Sequence, residues 1–264
     1  AIEINGISIE TNKKAFLWGR RAAFNLDAVS KVAFPAEVIE LKRVSSNLDE
    51  LIERRTAFLT EYQNAAYAQR YLRLIEATRA AEAKLGSTRL TEAVARYYFK
   101  LMAYKDEYEV ARLFSDGAFM DKVNSQFEGD FKLKFHLAPP LWAKRDSHGH
   151  LMKRPFGSWT MRAFGLLAKL RGLRGSAFDP FGHTAERRAE RALIVHYEQT
   201  VKMMLAKLAA DNLESAIGVA SVPEEIRGYG HIKEASLKEA AHRETDLLAA
   251  FTASVTDISA VRAA

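Results

Sequence analysis

The residues of this chain whose types and spacing could do chemistry are concentrated between positions 131 and 191, which hold four of its seven histidines. Asp146, His148 and His150 share one Gly-Ser turn, and imidazole with carboxylate is a ligand set that zinc or iron accepts. Histidines in such a turn are more often solvated, so we predict no metal site. His231, which follows Gly-Tyr-Gly and precedes a helical pattern, is the most site-like histidine of the chain.

Arginines near a second helix start form another candidate site. Arg171 and Arg174 flank a glycine, and Arg187 stands in the first turn that follows the sequence FDPFGHT. Cations at a helix N-terminus oppose the helix dipole unless an acid or a bound anion compensates them. Two explanations stay open, a bound anion or an internal ion-pair network that includes Glu186 and Glu190. The anion-binding candidates are Lys144, Arg145, Lys153, Arg154, Arg171, Arg174, Arg187, Arg188 and His231.

Positive charge is local rather than general in this chain. Residues 142–191 hold eleven Lys and Arg against four Asp and Glu, whereas the whole chain has a net charge of +6. Local positive charge favours phosphate-bearing ligands, nucleic acid or an acidic protein surface. Because the basic and aromatic residues lack a recognisable nucleic-acid-binding module, we expect no nucleic acid partner.

Several classes of function are excluded or disfavoured by composition. The chain has no cysteine, so it supplies no disulfide, no thiolate nucleophile and no thiolate ligand for an iron-sulfur cluster. It also has no phosphate loop, dinucleotide fingerprint or nucleophile elbow, and we predict no catalytic residue in it. With 48% hydrophobic residues and no long apolar run or signal peptide, it is expected to be a globular cytoplasmic protein without a membrane partner.

Helical periodicity dominates the elements that must position these residues. The only alternating pattern runs from Phe131 to Leu137 and ends at Pro139 and Pro140, which predicts a short strand paired with a stretch inside 151–159. The sequence therefore predicts a mainly α domain with a small β-hairpin or short sheet near residues 131–159. The predicted helices cover residues 10–25, 49–85, 88–103, 104–127 with a break near Asp116 and Gly117, 160–170, 184–210 and a final stretch through Ile258.

Four runs in the second half of the chain carry a family resemblance. They read FKLKFHLAPPLWAKRD, KRPFGSW, LRGLRGSAFDPFGHTAERRAERALI and EIRGYGHIKEASL, and together they resemble the C-terminal region of the large fused indolepyruvate ferredoxin oxidoreductases. The similarity runs from about Tyr62 to Ala240. The beginning, AIEINGISIETNKKAFLWGRRAA, is similar to the end of the gamma-type domain of 2-oxoacid:ferredoxin oxidoreductases. Two parts are therefore predicted, a gamma-type tail over residues 1–30 and a helical C-terminal domain over 31–264, and Ala1 fits a fragment of a longer chain.

The resemblance implies a reaction for the whole parent enzyme. Members of that family decarboxylate an aryl 2-oxoacid oxidatively on thiamine diphosphate with Mg²⁺, pass electrons through iron-sulfur clusters to ferredoxin and release an acyl-CoA. No cofactor is expected in this fragment, which is predicted to be an inactive accessory or docking domain. Its expected partners are the other domains of the parent chain, and a homo-oligomer stays open. Alternatively the basic loop 142–191 binds CoA phosphates or acidic ferredoxin. The interface candidates are Trp142, Phe156 and Trp159.

Overall fold

The chain is mainly helical with a small antiparallel hairpin, which confirms the predicted fold class. A computed structural model describes residues 9–33, 45, 47–127, 129, 131–138, 152–228 and 231–262, with backbone alone for 31–33, 231 and 254–262. Its helices are α1 (Ile9–Phe24), α2 (Leu26–Ala33), α3 (Leu48–Tyr62), α4 (Ala65–Glu82), α5 (Arg89–Met102), α6 (Glu107–Ser115), α7 (Ala118–Gln126), α8 (Thr160–Lys169), α9 (Ala185–Leu205), α10 (Leu213–Ser221) and α11 (His231–Arg262); its strands are β1 (Phe135–Leu137) and β2 (Arg154–Phe156).

The chain divides into two compact units, Ala1–Ser46 and Asn47–Ala264. The predicted domain boundary after residue 30 stays a prediction. In the first unit, α1 and α2 are separated at Asn25, whose side-chain oxygen accepts a hydrogen bond from the Ala28 amide at 2.9 Å. No residue of α1 is buried, and Phe24 is 93% exposed.

One correction concerns residues 49–85, which the periodicity predicts as a single helix. The structure divides this stretch into α3 and α4 because Asn64 has an extended backbone and caps α4, its side-chain oxygen accepting from the Tyr67 amide at 2.9 Å. Asparagine favours this position, since its short side chain competes for backbone amides. Apolar spacing continues on both sides of the break, so periodicity alone cannot detect it.

The helix predicted over residues 88–103 is α5, and its first predicted residue, Thr88, is of a type that commonly caps a helix through its side chain. Thr88 occupies the N-cap position but its side chain makes no capping hydrogen bond. Glu82, at the end of α4, takes that role, because its carboxylate accepts from the amides of Leu90 and Thr91, each at 2.7 Å. One buried acid thus closes the turn between two helices.

The main core lies among α3, α4, α5, α9, α10 and α11. Its centre is a stack of three tyrosine rings, with centroids 5.8 Å apart between Tyr71 and Tyr98 and 5.7 Å apart between Tyr98 and Tyr197. Each hydroxyl has a partner, as buried tyrosines require. Tyr197, for example, donates to the carbonyl of Ala220 at 2.9 Å. Within the described residues, no helix is both long and apolar enough to cross a membrane.

A smaller phenylalanine cluster lies beside the hairpin and consists of Phe114, Phe119, Phe135 and Phe164. The Phe114 ring lies 4.8 Å from that of Phe119 and 5.4 Å from those of Phe135 and Phe164. The strand predicted over 131–137 is shorter than expected, since only its last three residues pair, with Phe135 opposite Phe156. The cluster joins α6, α7, β1 and α8.

Candidate functional site

Arg174 lies at the centre of a buried junction between separate parts of the second unit. It follows the 3-10 turn Leu170–Leu173, and its side chain is 2% exposed. Its Nε donates to Asp106 Oδ2 at 2.5 Å, its Nη2 to Asp106 Oδ1 at 2.9 Å, and its Nη1 to the backbone carbonyl of Tyr62. One guanidinium therefore ties the end of α3 to the beginning of α6.

Asp106 has two roles in this arginine junction. It is the N-cap of α6, where Oδ1 accepts from the Glu109 amide at 2.9 Å, and it is also the carboxylate that neutralises Arg174. Two parallel N–H to oxygen bonds make this the strongest class of ion pair. Neither charge tolerates burial without the other, because desolvating a lone ion costs several kcal/mol.

Aromatic rings enclose the Arg174 guanidinium, whose central carbon lies 3.6 Å from the Tyr62 ring centroid and 5.5 Å from that of Tyr108. Burial alone would lower the pKa of Arg174, but its hydrogen bonds to Asp106 raise that pKa above its ordinary value. Burial also raises the pKa of Tyr62. The guanidinium is therefore permanently charged beside neutral phenols, which favours a cation–π contact.

Asp179 fixes the loop that follows Arg174. Its carboxylate accepts from the Gly175 amide at 2.7 Å, from the Phe181 amide at 3.1 Å and from the Tyr108 hydroxyl at 3.1 Å. A Cβ added to Gly182 would stand 2.5 Å from Asp179 Oδ2, so this position requires glycine. The sequence FDPFGHT is therefore a packed turn organised around one buried carboxylate.

Arg187 and Arg191, at the beginning of α9, also have internal partners. Arg187 donates to both carboxylate oxygens of Glu107 at 3.3 and 3.4 Å, and Arg191 donates to the carbonyl of Gly182 at 2.7 Å. Burial alone would lower the pKa of Arg187, but Glu107 raises it. Of the two explanations for cations at this helix start, these contacts favour the internal network, with Glu107 rather than Glu190 as the main acid.

The other anion-binding candidates on described side chains remain accessible. Lys153, Arg154 and Arg188 are exposed and Arg171 is half-buried. They lie on different elements, namely the end of the hairpin, the turn after α8 and the first turn of α9. In the described part of the chain they form no ion pair, unlike Arg174.

Some predicted residues lie outside the described side chains. These are Trp142, Lys144, Arg145, the histidine turn with Asp146, His148 and His150, and the His231 side chain, although the backbone of residue 231 begins α11. Across the described residues, no group of three His, Cys, Asp or Glu side chains could hold a metal ion.

The two interface candidates that the structure describes differ in exposure. Phe156 is half-buried on β2 and packs against the phenylalanine cluster, whereas Trp159 is 61% exposed. Their rings meet edge to face with centroids 6.1 Å apart. Phe156 therefore belongs mainly to the packed hairpin, and Trp159 is the aromatic side chain that a partner can reach.

Sequence reasoning missed the acids that pair with these arginines. Asp106 stands 68 positions before Arg174, and Glu107 stands 80 positions before Arg187. Asp106 with Glu109 matches the N-cap and third-position pattern of a helix start, which signals the beginning of α6. Nothing in that local pattern indicates a distant arginine.

The chain is therefore a mainly helical protein, and buried ion pairs link separate parts of its second unit. The model of DUF6537, a family of unknown function, matches residues 48–246, and the chain belongs to this family. Comparison with curated proteins and with solved structures finds no match.

Proposed function

We propose that this chain is the C-terminal region of an indolepyruvate ferredoxin oxidoreductase and serves there as an accessory docking domain. The parent enzyme would oxidatively decarboxylate an aryl 2-oxoacid to an acyl-CoA and pass electrons to ferredoxin. The proposal starts from the four motif runs quoted above, which resemble that region in the same order. Membership of a family of unknown function is compatible with it and adds no activity.

The accessory role is supported by the internal contacts that the longest of the four motif runs makes in the structure. In LRGLRGSAFDPFGHTAERRAER, the charged groups of Arg174, Asp179 and Arg187 contact other parts of the same unit, and Arg191 contacts Gly182 within the motif. Residues that catalyse must instead reach a substrate. The most specific stretch of the chain thus supports a role in holding the domain together.

The donor set of this chain does not fit the cofactors of the proposed parent enzyme. Iron-sulfur clusters are held by thiolates, and this chain contains no cysteine. Nor does it carry a recognisable thiamine diphosphate motif. These cofactors therefore belong to other parts of the parent enzyme.

Exposed apolar residues give independent support for docking inside a larger protein. On α1, Phe16 is 61% and Phe24 is 93% exposed, and on α8, Leu166 is 65% exposed. Scattered apolar residues are normal at a surface, but several large ones on single helices mark interaction sites.

The experiment that tests this proposal uses the complete polypeptide that contains the chain. It is purified anaerobically and assayed for ferredoxin reduction that depends on both indolepyruvate and CoA. We expect reduction to stop when either is omitted. The assignment would be refuted if the enzyme, loaded with thiamine diphosphate and iron, accepted no aryl 2-oxoacid as the electron donor for ferredoxin reduction.

A second candidate function is anion binding through the basic loop 142–191. The observation that favours it is the run from Leu151 to Phe178, which contains six Lys or Arg and no Asp or Glu. If CoA phosphates bind there, calorimetry at low salt should show affinity that falls in Lys153→Ala/Arg154→Ala. Lys202→Ala/Lys207→Ala, which removes two exposed cations outside residues 142–191, is the matched control. Absence of CoA binding at low salt would remove this candidate.

A further inference from the structure

The outward face of α8 is an apolar stripe bordered by two cations. Trp159, Leu166 and Leu170 are 61%, 65% and 43% exposed. Positions 159, 166 and 170 fall on one side of a helix, because they are separated by about two turns and then about one turn. Arg162 and Lys169 are exposed along one edge of the same face. We call these five residues the α8 face.

The opposite side of α8 is the side that packs against the rest of the chain. Thr160, Phe164 and Ala168 are buried, and Phe164 belongs to the phenylalanine cluster. One apolar side already anchors the helix. The three large residues on the other side therefore need a separate explanation, since the residues that the structure describes leave them exposed.

Charge indicates the chemistry of the group that covers the α8 face. Arg162 and Lys169 form no ion pair with any residue that the structure describes, and the run 151–178 that surrounds them has no acid. A surface with an apolar centre and a cationic edge is complementary to one with an apolar centre and carboxylates beside it. Tryptophan and arginine are also the residues most enriched at the energetic centres of protein interfaces.

We propose that the α8 face docks on an acidic, apolar-centred surface of another domain of the same polypeptide. This inference rests on the proposed function, which places the chain inside a larger enzyme. Permanent interfaces are more apolar than transient ones, and three large aligned apolar side chains fit the permanent kind. Of the six Lys and Arg in the run 151–178, the α8 face contains two, fewer than the roughly four to eight that draw a helix to an anionic membrane, and two allow few phosphate contacts to nucleic acid.

Site-specific photocrosslinking in the complete polypeptide tests the inference. The photoreactive residue p-benzoylphenylalanine replaces Leu166 in one variant and Val195 in the control. Val195 is 43% exposed on α9, and exposed Ala192 and Gln199 are its neighbours about one turn away. After irradiation, mass spectrometry identifies the peptide that is joined to each position.

We expect Leu166→p-benzoylphenylalanine to crosslink within the same polypeptide, to a peptide outside the 264 residues that carries Asp or Glu. The Val195 variant should give little adduct. Adding Arg162→Glu and Lys169→Glu should lower the Leu166 yield about tenfold or more, since like charges would then face each other. High salt should lower it by a smaller factor.

Other adducts would overturn the inference and identify a different occupant. They are a peptide from residues 139–151 of this chain, a second copy of the polypeptide, or a separate protein. Unchanged crosslinking in the charge-reversed variant would remove the acidic partner, and protection of Leu166 by anionic vesicles would favour a membrane. Crosslinking needs no turnover, so failure here is distinguishable from failure of the oxidoreductase assignment.

Discussion

Replacing Arg174 by methionine should destabilise the chain more than any comparable change at a surface ion pair. Arg174→Met keeps most of the side-chain length but removes both hydrogen bonds to Asp106 and the bond to the Tyr62 carbonyl. The Asp106 carboxylate, 3% exposed, would then be a buried charge without a counter-ion, although it would still accept from the Glu109 amide. Breaking one side of a buried pair costs about 3–5 kcal/mol. That is a large fraction of the roughly 5–15 kcal/mol by which a folded protein is stable.

The chain offers a matched control for this prediction. Arg79 donates to Asp49 at 2.6 Å, but these side chains are 47% and 81% exposed. Exposed pairs of this kind contribute about 1 kcal/mol or less, because water screens both charges. Arg79→Met should therefore shift the urea midpoint only slightly, while Arg174→Met should shift it strongly, as followed by far-ultraviolet circular dichroism.

A double-mutant cycle separates the ion pair from general packing. Asp106→Asn keeps an amide oxygen that can cap α6, and it removes the charge. The combined Arg174→Met/Asp106→Asn variant should be more stable than the sum of the two single losses predicts, by about 1–3 kcal/mol. Two results would show that Arg174 and Asp106 do not form this buried ion pair. One is a loss of unfolding free energy in Arg174→Met no larger than that in Arg79→Met, and the other is simple additivity of the Arg174→Met and Asp106→Asn losses.

Three further predictions concern other features of the second unit. Burial alone would raise the pKa of Glu82, but the hydrogen bonds that its carboxylate accepts lower this pKa below its ordinary value of 4.5. The ionised carboxylate therefore stabilises the folded chain fully above pH 4.5, and this stabilisation is lost as the pH falls through the lower pKa of the folded state. Glu82→Gln should cost about 1–3 kcal/mol at neutral pH and progressively less in acid, and a loss that is constant across pH-dependent urea unfolding would contradict this. Gly182→Ala should lower the melting temperature, because the added Cβ would stand 2.5 Å from Asp179 Oδ2. Gly165→Ala is the control: its added Cβ meets no atom within 4 Å, so the melting temperature should stay unchanged or rise. Equal effects of the two substitutions would refute the close contact between Gly182 and Asp179. Burial raises the pKa of Tyr71 to about 12, so ultraviolet titration of the nine tyrosines should stay incomplete until alkali unfolds the chain.

The sequence predicts the elements of this fold better than their ends. Helical spacing finds most of the described helices because burial of one face imposes a period of 3.6 residues, but it predicts neither α2 nor α10. It does not find the break at Asn64, since the apolar stripe continues past it. The cap of α5 is missed for a different reason, because Glu82 reaches its amides from the preceding helix.

The candidate site is less predictable, because its contacts join distant positions. The composition of residues 142–191 draws attention to several arginines, but the burial of Arg174 and Arg187 depends on Asp106 and Glu107 at the beginning of another helix. The same composition does not separate Phe156, which packs inward, from Trp159, which does not. Exposure therefore divides the predicted basic and aromatic set into a structural part and a surface part.

Acyl-CoA formation from indolepyruvate is the measurement that tests the proposed function most directly. The complete polypeptide and the isolated 264-residue chain are each supplied with thiamine diphosphate, Mg²⁺, CoA and an electron acceptor, and the products are identified by mass spectrometry. We predict that the complete polypeptide forms the acyl-CoA and that the isolated chain forms none. Turnover by the isolated chain, or an active complete polypeptide that forms no acyl-CoA from any aryl 2-oxoacid, would contradict the accessory-domain proposal.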